Sequence, residues 1–137
     1  MEQEAISMEI INPKAAGIDI GSRSHWVAIG QQEQDIREYG VYNEDLFAMA
    51  DWLLEKNIKT IAMESTGTYW QNLYAVLISK GFNVILCNGK FTKNIKGKKT
   101  DIKDCQWIQK LHSLGLLTSS FLPDEKTEQP IADTGLI

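Results

Sequence analysis

AAGIDIGSRSHWVAIG, residues 15–30, decides how this chain folds. Ala15–Gly21 reads as a short apolar strand and His25–Gly30 as a second. Gln31–Asp35 follows as a polar turn, and Ile36–Tyr42 reads as a third strand. Short strands joined by brief polar connections form an antiparallel meander. Within the first strand, Asp19 breaks an otherwise apolar run. Side chains alternate across a strand, so Ile18 and Ile20 point away from the face that Asp19 takes. Gly17 and Gly21 flank it, leaving room for a ligand backbone or a phosphate to approach.

Beyond the meander the pattern changes. Asn43 reads as a helix cap. In EDLFAMADWLLEKN, Leu46, Phe47, Ala50, Leu53 and Leu54 share one helical face, and Asn57 marks the end. Thr60–Met63 is a strand running into Glu64. Thr68–Lys80 is a second helix closed by Gly81. Asn83–Cys87, NVILC, suits a buried parallel strand. A third helix starts at Thr100 or Asp101, with Ile102, Cys105, Ile108, Gln109, Leu111 and Leu114 as its stripe. The order β-β-β-α-β-α-β-α predicts an α/β fold: one mixed sheet covered by helices.

A chain of 137 residues with 43% hydrophobic content suffices for one ordinary domain. The expected division is a poorly ordered lead-in over 1–12, a domain over 13–122, and an extended or disordered tail over 123–137. The net charge of -4 argues against coating nucleic acid by charge alone. Locally the sign reverses: Lys90, Lys93, Lys96, Lys98, Lys99, Lys103 and Lys110 face only Asp101 and Asp104 in that stretch. Cys87 and Cys105 form no C-x-x-C pair and read as reduced thiols of a cytoplasmic protein. The acidic start is no secretory signal, and no apolar run reaches membrane-span length.

Four acids occupy places that invite chemistry. An aspartate inside a strand is costly unless a cation balances it or it turns to solvent at an edge. Glu64 follows a strand at the end where α/β proteins carry their crevice, although a residue there can equally cap the next helix. Asp101 and Asp104 are three apart at a helix start, hence on one face, and helix-start amides favour such acids without any metal. Together, Asp19, Glu64, Asp101 and Asp104 offer the oxygen ligands that two-metal phosphoryl chemistry requires, and Mg²⁺ favours such ligands. The lysines from Lys90 to Lys103 read as phosphate contacts or as a solvated loop. Thr66 and Thr68 shape the pocket rim, contact phosphate, or simply open the next helix. His25 and His112 lack zinc-spaced partners and read as structural. Trp26, Tyr69, Trp70 and Trp107 read as packing residues before base-stacking ones.

GIDIGSRSHWVAIG, AMESTGTYWQNLY and GKKTDIKDCQWIQKLHSLGLLTSSFLP together resemble the N-terminal domain of IS110-type, or DEDD, transposases. The last two motifs are the specific ones, since actin-like ATPases share a GIDIG-type strand. The resemblance spans about residues 12–123. It implies a ribonuclease-H-like fold of the RuvC type, with Asp19, Glu64, Asp101 and Asp104 as catalytic ligands of Mg²⁺. It further implies transposition of insertion-sequence DNA, a non-coding RNA partner encoded by the element, and homo-oligomers. In the family a separate C-terminal domain supplies a serine nucleophile. That domain has no counterpart after SSFLPDE, which is the expectation for a truncated or frameshifted copy. Ser22, Ser24 and Ser65 read as turn residues, so no nucleophile is assigned. The competing reading is a non-catalytic fragment that binds nucleic acid or oligomerises. An actin-like ATPase would need nucleotide-binding loops that the chain lacks.

Overall fold

The computed structural model describes residues 9–65, 67, 69–88 and 103–117. Five strands form one sheet: β1 (Ala15–Ile20), β2 (His25–Ala28), β3 (Ile36–Tyr39), β4 (Thr60–Ser65) and β5 (Asn83–Asn88). Three helices cover it: α1 (Asn43–Glu55), α2 (Trp70–Ser79) and α3 (Asp104–Ser113). The strand order is β3-β2-β1-β4-β5. β1, β2 and β3 pair antiparallel; β4 joins β1 in parallel, and β5 joins β4 in parallel. This is the ribonuclease-H-like arrangement: an antiparallel meander extended by parallel strands on its first strand.

Alternation divides the chemistry of the two faces. Ile18, Ile20, Val27, Ile61, Met63, Val84 and Leu86 point to one side and meet α1 and α2 through Leu46, Met49, Leu53, Leu73 and Leu77. This is the main core. On the other side a smaller cluster joins Ala62 and Cys87 to Trp107, Ile108 and Leu111 of α3. Asp19 and Glu64 belong to this second face, opposite Ile18 and Met63. Asn57 ends α1 with φ of 62°, a conformation that asparagine tolerates better than other residues. Gly81 does the same after α2 at φ of 93°.

Several expectations change. Phe47 and Leu54 are 42% and 45% exposed; Met49 and Trp52 fill the helix face instead. Trp52 lies under the Arg37 guanidinium and beside Tyr39, so β3 of the meander helps to bury it. Asn43 is the first residue of α1, and Tyr42 precedes it as the cap, its N–H held by the Asp45 carboxylate at 3.2 Å. Of the lead-in, residues 1–8 lie outside the described residues, while Ile11 and Asn12 both donate to the Ser113 carbonyl at the end of α3. The tail from 123 also lies outside them.

Gly17 has a role that its sequence context did not suggest. A Cβ there would stand 2.7 Å from the Cys105 carbonyl oxygen and 2.8 Å from Gln109 Cα, with the Gln109 amide nitrogen closer still. The close approach is by α3, not by a ligand. The spacing of Gly17 from α3 leaves no freedom for a methyl group, because backbone atoms on both sides would have to move. Gly17→Ala is expected to cost about 1–3 kcal/mol as an overpacking substitution. Chemical unfolding should show a lower midpoint with an unchanged slope; an unchanged midpoint would mean that α3 does not lie on β1 at this distance.

Candidate functional site

The parallel pairing of β1 with β4 sets Asp19 directly beside Glu64. Partners in register on adjacent strands project to the same face, so the two carboxylates share the side that α3 covers. Neighbouring strands lie about 4.8 Å apart, which makes this a close pair of carboxyl groups. Glu64 is buried, with 5% exposure, and Asp19 is half-buried. Both sit at the carboxyl ends of their strands, where the next backbone turns away and opens the sheet.

α3 brings the third acid. Lys103 is extended (φ -72°, ψ 154°), so the helix begins at Asp104 and not at Thr100 or Asp101. The reason is a local hydrogen bond: the Gln106 side chain accepts from the Lys103 N–H at 3.0 Å, stopping the helix where it stands. Asp101, Thr66, Thr68 and the lysines from Lys90 to Lys99 lie outside the described residues. Asp104 and Asp19 line one shallow cavity of about 290 Å³, together with Trp26, Lys103 and Cys105. The Lys103 ammonium stands 4.6 Å from the centre of the Trp26 ring, a cation–π contact that holds a positive charge at the rim of an acidic site.

The position of α3 rests on amides. Gln109, buried, donates to the Ala15 carbonyl at 3.2 Å and accepts from Gln31 at 2.6 Å. Gln31 also donates to the Gln106 carbonyl, and Gln106 donates to the Gln31 carbonyl, each at 2.9 Å. The turn before β3 is thus tied to α3. At the far end, His112 Nε2 meets the Thr60 hydroxyl at 2.9 Å. Sequence reading placed Gln109 on the apolar stripe without a role; a glutamine among buried aliphatics was the available signal, because such a group must find partners.

Both thiols border this site. Cys87 is in register with Glu64, and Cys105 follows Asp104. Burial, reinforced by the Glu64 carboxylate, pushes the Cys87 thiol up to about 12. Burial and then Asp19 push Cys105 up to about 11. Neutral thiols make poor metal ligands and poor nucleophiles. Among the described residues, no three His, Cys, Asp or Glu side chains stand close enough to hold an ion between them. Also among them, no helix is long and apolar enough to cross a membrane.

A family model described as DEDD_Tnp_IS110, transposase, matches residues 16–129. A search of curated proteins finds no match for this chain.

The thiols give a direct check on the second face. At pH 8, alkylation of Cys87 and Cys105 in the folded chain should run at least about a hundredfold slower than in urea, since each unit of thiol pKa is tenfold in thiolate. Their contribution to stability is fully present below about pH 9, their ordinary value, and is lost as pH climbs toward 11 and 12. Native labelling at the urea rate would place the thiols in solvent and remove α3 from this face.

Proposed function

The chain belongs to the IS110-type DEDD transposase family, and we propose that Asp19, Glu64 and Asp104, with Asp101, form its Mg²⁺-dependent site for DNA strand cleavage and recombination during transposition. One observation carries this reading: Asp19 and Glu64 are register partners on adjacent parallel strands, on the face where α3 presents Asp104 to the same cavity as Asp19. Two adjacent carboxylates at a strand end repel each other, and a divalent cation offsets that repulsion.

Mg²⁺ keeps several waters and is commonly held by one or two carboxylates plus the phosphate oxygens of the substrate. An open, one-sided set of acids leaves that room. When bound, the ion supplies charge to the scissile phosphate and to the attacking and leaving oxygens. The protein's own groups do the positioning. β1 and β4 hold Asp19 and Glu64 rigidly by their ladder. Lys103 stands beside the cavity as a phosphate contact, and the lysines from Lys90 to Lys99 extend that positive charge along the chain. Cys87 and Cys105, kept neutral, add no competing negative charge. An element-encoded RNA and further copies of the chain are the family's partners for the complete reaction.

The test is cation binding by the intact chain. Mn²⁺, a paramagnetic substitute for Mg²⁺, should broaden the signals of residues around Asp19 and Trp26 and should be displaced by Mg²⁺. Asp19→Asn and Glu64→Gln should each weaken Mn²⁺ binding at least about tenfold, the order expected when a site loses one of its few charged ligands. Retention of full binding in both variants would dismiss these acids as ligands. Absence of binding in the intact chain would favour a fragment that binds nucleic acid without cleaving it.

A further inference from the structure

The opposite side of the same sheet end holds a second cavity, of about 310 Å³, between β1, β2 and the start of α2. Leu46 and Leu73 contribute an aliphatic wall, and His25, Tyr69, Gln71 and Asn72 contribute polar groups. The size falls at the lower end of the range for small-ligand sites. Its groups are arranged unlike those of a core. Tyr69 is 57% exposed, an unusual placement for a large ring that borders a pocket. Gln71 and Asn72 are exposed, and neither amide has a hydrogen-bond partner among the described residues.

His25 is different: it is buried, with 2% exposure. The Gly21 N–H donates to its Nδ1 at 3.3 Å. Nδ1 must therefore be the acceptor, which leaves the neutral ring's proton on Nε2. Burial lowers the pKa of this ring and keeps it neutral. The pocket thus combines a fixed imidazole, two unengaged amides that can both donate and accept, and one exposed aromatic face. A planar, uncharged heterocycle with donors and acceptors on its edge matches that set; a free phosphate matches it less well, because no Lys or Arg among the described residues lines the cavity.

Position then identifies the heterocycle. This cavity shares Gly21 and Ser22 with a neighbouring cavity lined by Asp19, Arg23 and Trp26, and that one shares Asp19 and Trp26 with the cavity of Asp104. The three cavities thus adjoin one another around the carboxyl end of β1. A Cβ at Gly21 would stand 2.6 Å from the Ser24 carbonyl oxygen, so the tight turn from β1 to β2 that separates them requires glycine there.

We propose that the pocket of His25, Tyr69, Gln71 and Asn72 takes one unstacked nucleobase of a nucleic-acid strand whose backbone crosses the Gly21–Ser22 turn to the acidic site. The inference rests on the nucleic-acid reading of that site and adds a distinct contact to it. Tyr69 stacks on the base, and the amides of Gln71 and Asn72 meet its edge. Stacking tolerates every base, so this contact anchors the strand at one nucleotide without strong sequence preference.

A comparison of oligomers tests it. A short oligodeoxythymidylate and an abasic oligomer of equal length and charge are titrated against the intact chain, without divalent cation, by fluorescence anisotropy. The abasic oligomer should bind roughly tenfold more weakly, as expected for the loss of a base stacked on an aromatic ring. In Tyr69→Ala the two oligomers should bind alike, and in Asn72→Ala their difference should shrink. The His25 ring signals should shift on adding the thymidylate and not on adding the abasic oligomer. Equal binding of both oligomers by the intact chain, a base preference that survives Tyr69→Ala, or no binding of either would overturn the proposal. Asp19→Asn separates it from the cation reading: that variant should lose Mn²⁺ binding and keep its preference for the base-bearing oligomer.

Discussion

The contact on which the rest of the structure depends is the one between Gly17 and α3. There a helix lies on a strand with no side chain between them, at a distance that a single methyl group would violate. Everything on the second face follows from that approach. Asp104 opens the helix and Gln109 lies one and a half turns later, so fixing Gln109 against Ala15 fixes where Asp104 comes to rest. Asp19 is two residues beyond Gly17 on the same face. A strand glycine thus sets the relation between an acid on the sheet and an acid on the helix. The amide exchange between Gln31 and Gln106 repeats the constraint from the side of the meander.

The sheet divides labour between its faces. The α1 and α2 side buries large aliphatics in depth: Ile18, Met63, Leu73 and Leu77 are all fully enclosed. Each such side chain contributes about 1.5–3 kcal/mol relative to exposure. The α3 side has small residues on the strands, Gly17 and Ala62, and takes its bulk from the helix through Trp107, Ile108 and Leu111. The carboxylates sit at the strand ends, beyond the part of this second layer that Trp107, Ile108 and Leu111 fill. The buried Glu64 stands beside Asp19 and Cys87 on that face.

Much of this was legible in the chain. The alternation in GIDIG and HWVAIG, the change of period after Tyr42 and the turn signals at Asn57 and Gly81 suffice for element order, and the acids at strand ends stand out against apolar neighbours. Three features were not legible, each for a physical reason. Gly17 marks close approach, but sequence does not say whether a ligand or a helix approaches. The start of α3 depends on one hydrogen bond from the Lys103 N–H to the Gln106 side chain, whereas KKTDIKD alone is compatible with a helix start anywhere from Thr100. Trp52 sits on a face that α-helical periodicity leaves open; its burial depends on Arg37 and Tyr39 of β3, which no local pattern connects to α1.

The charge at the sheet end gives these parts a common logic. Asp19 and Asp104 bring carboxylates, and Lys103 and Arg23 bring positive charge, to adjoining cavities. Such a mixture does not attract a polyanion by its sum; a net charge of -4 opposes that. It favours a phosphate at particular points, beside a cation or where a divalent ion bridges phosphate to carboxylate. Weak overall attraction then has to be supplemented by contacts that do not depend on charge. The proposed base pocket, with the exposed Tyr69 ring beside the amides of Gln71 and Asn72 on the other side of the Gly21 turn, would be such a contact. Acids that repel the backbone and a pocket that receives a neutral base are complementary solutions to holding one strand at one place.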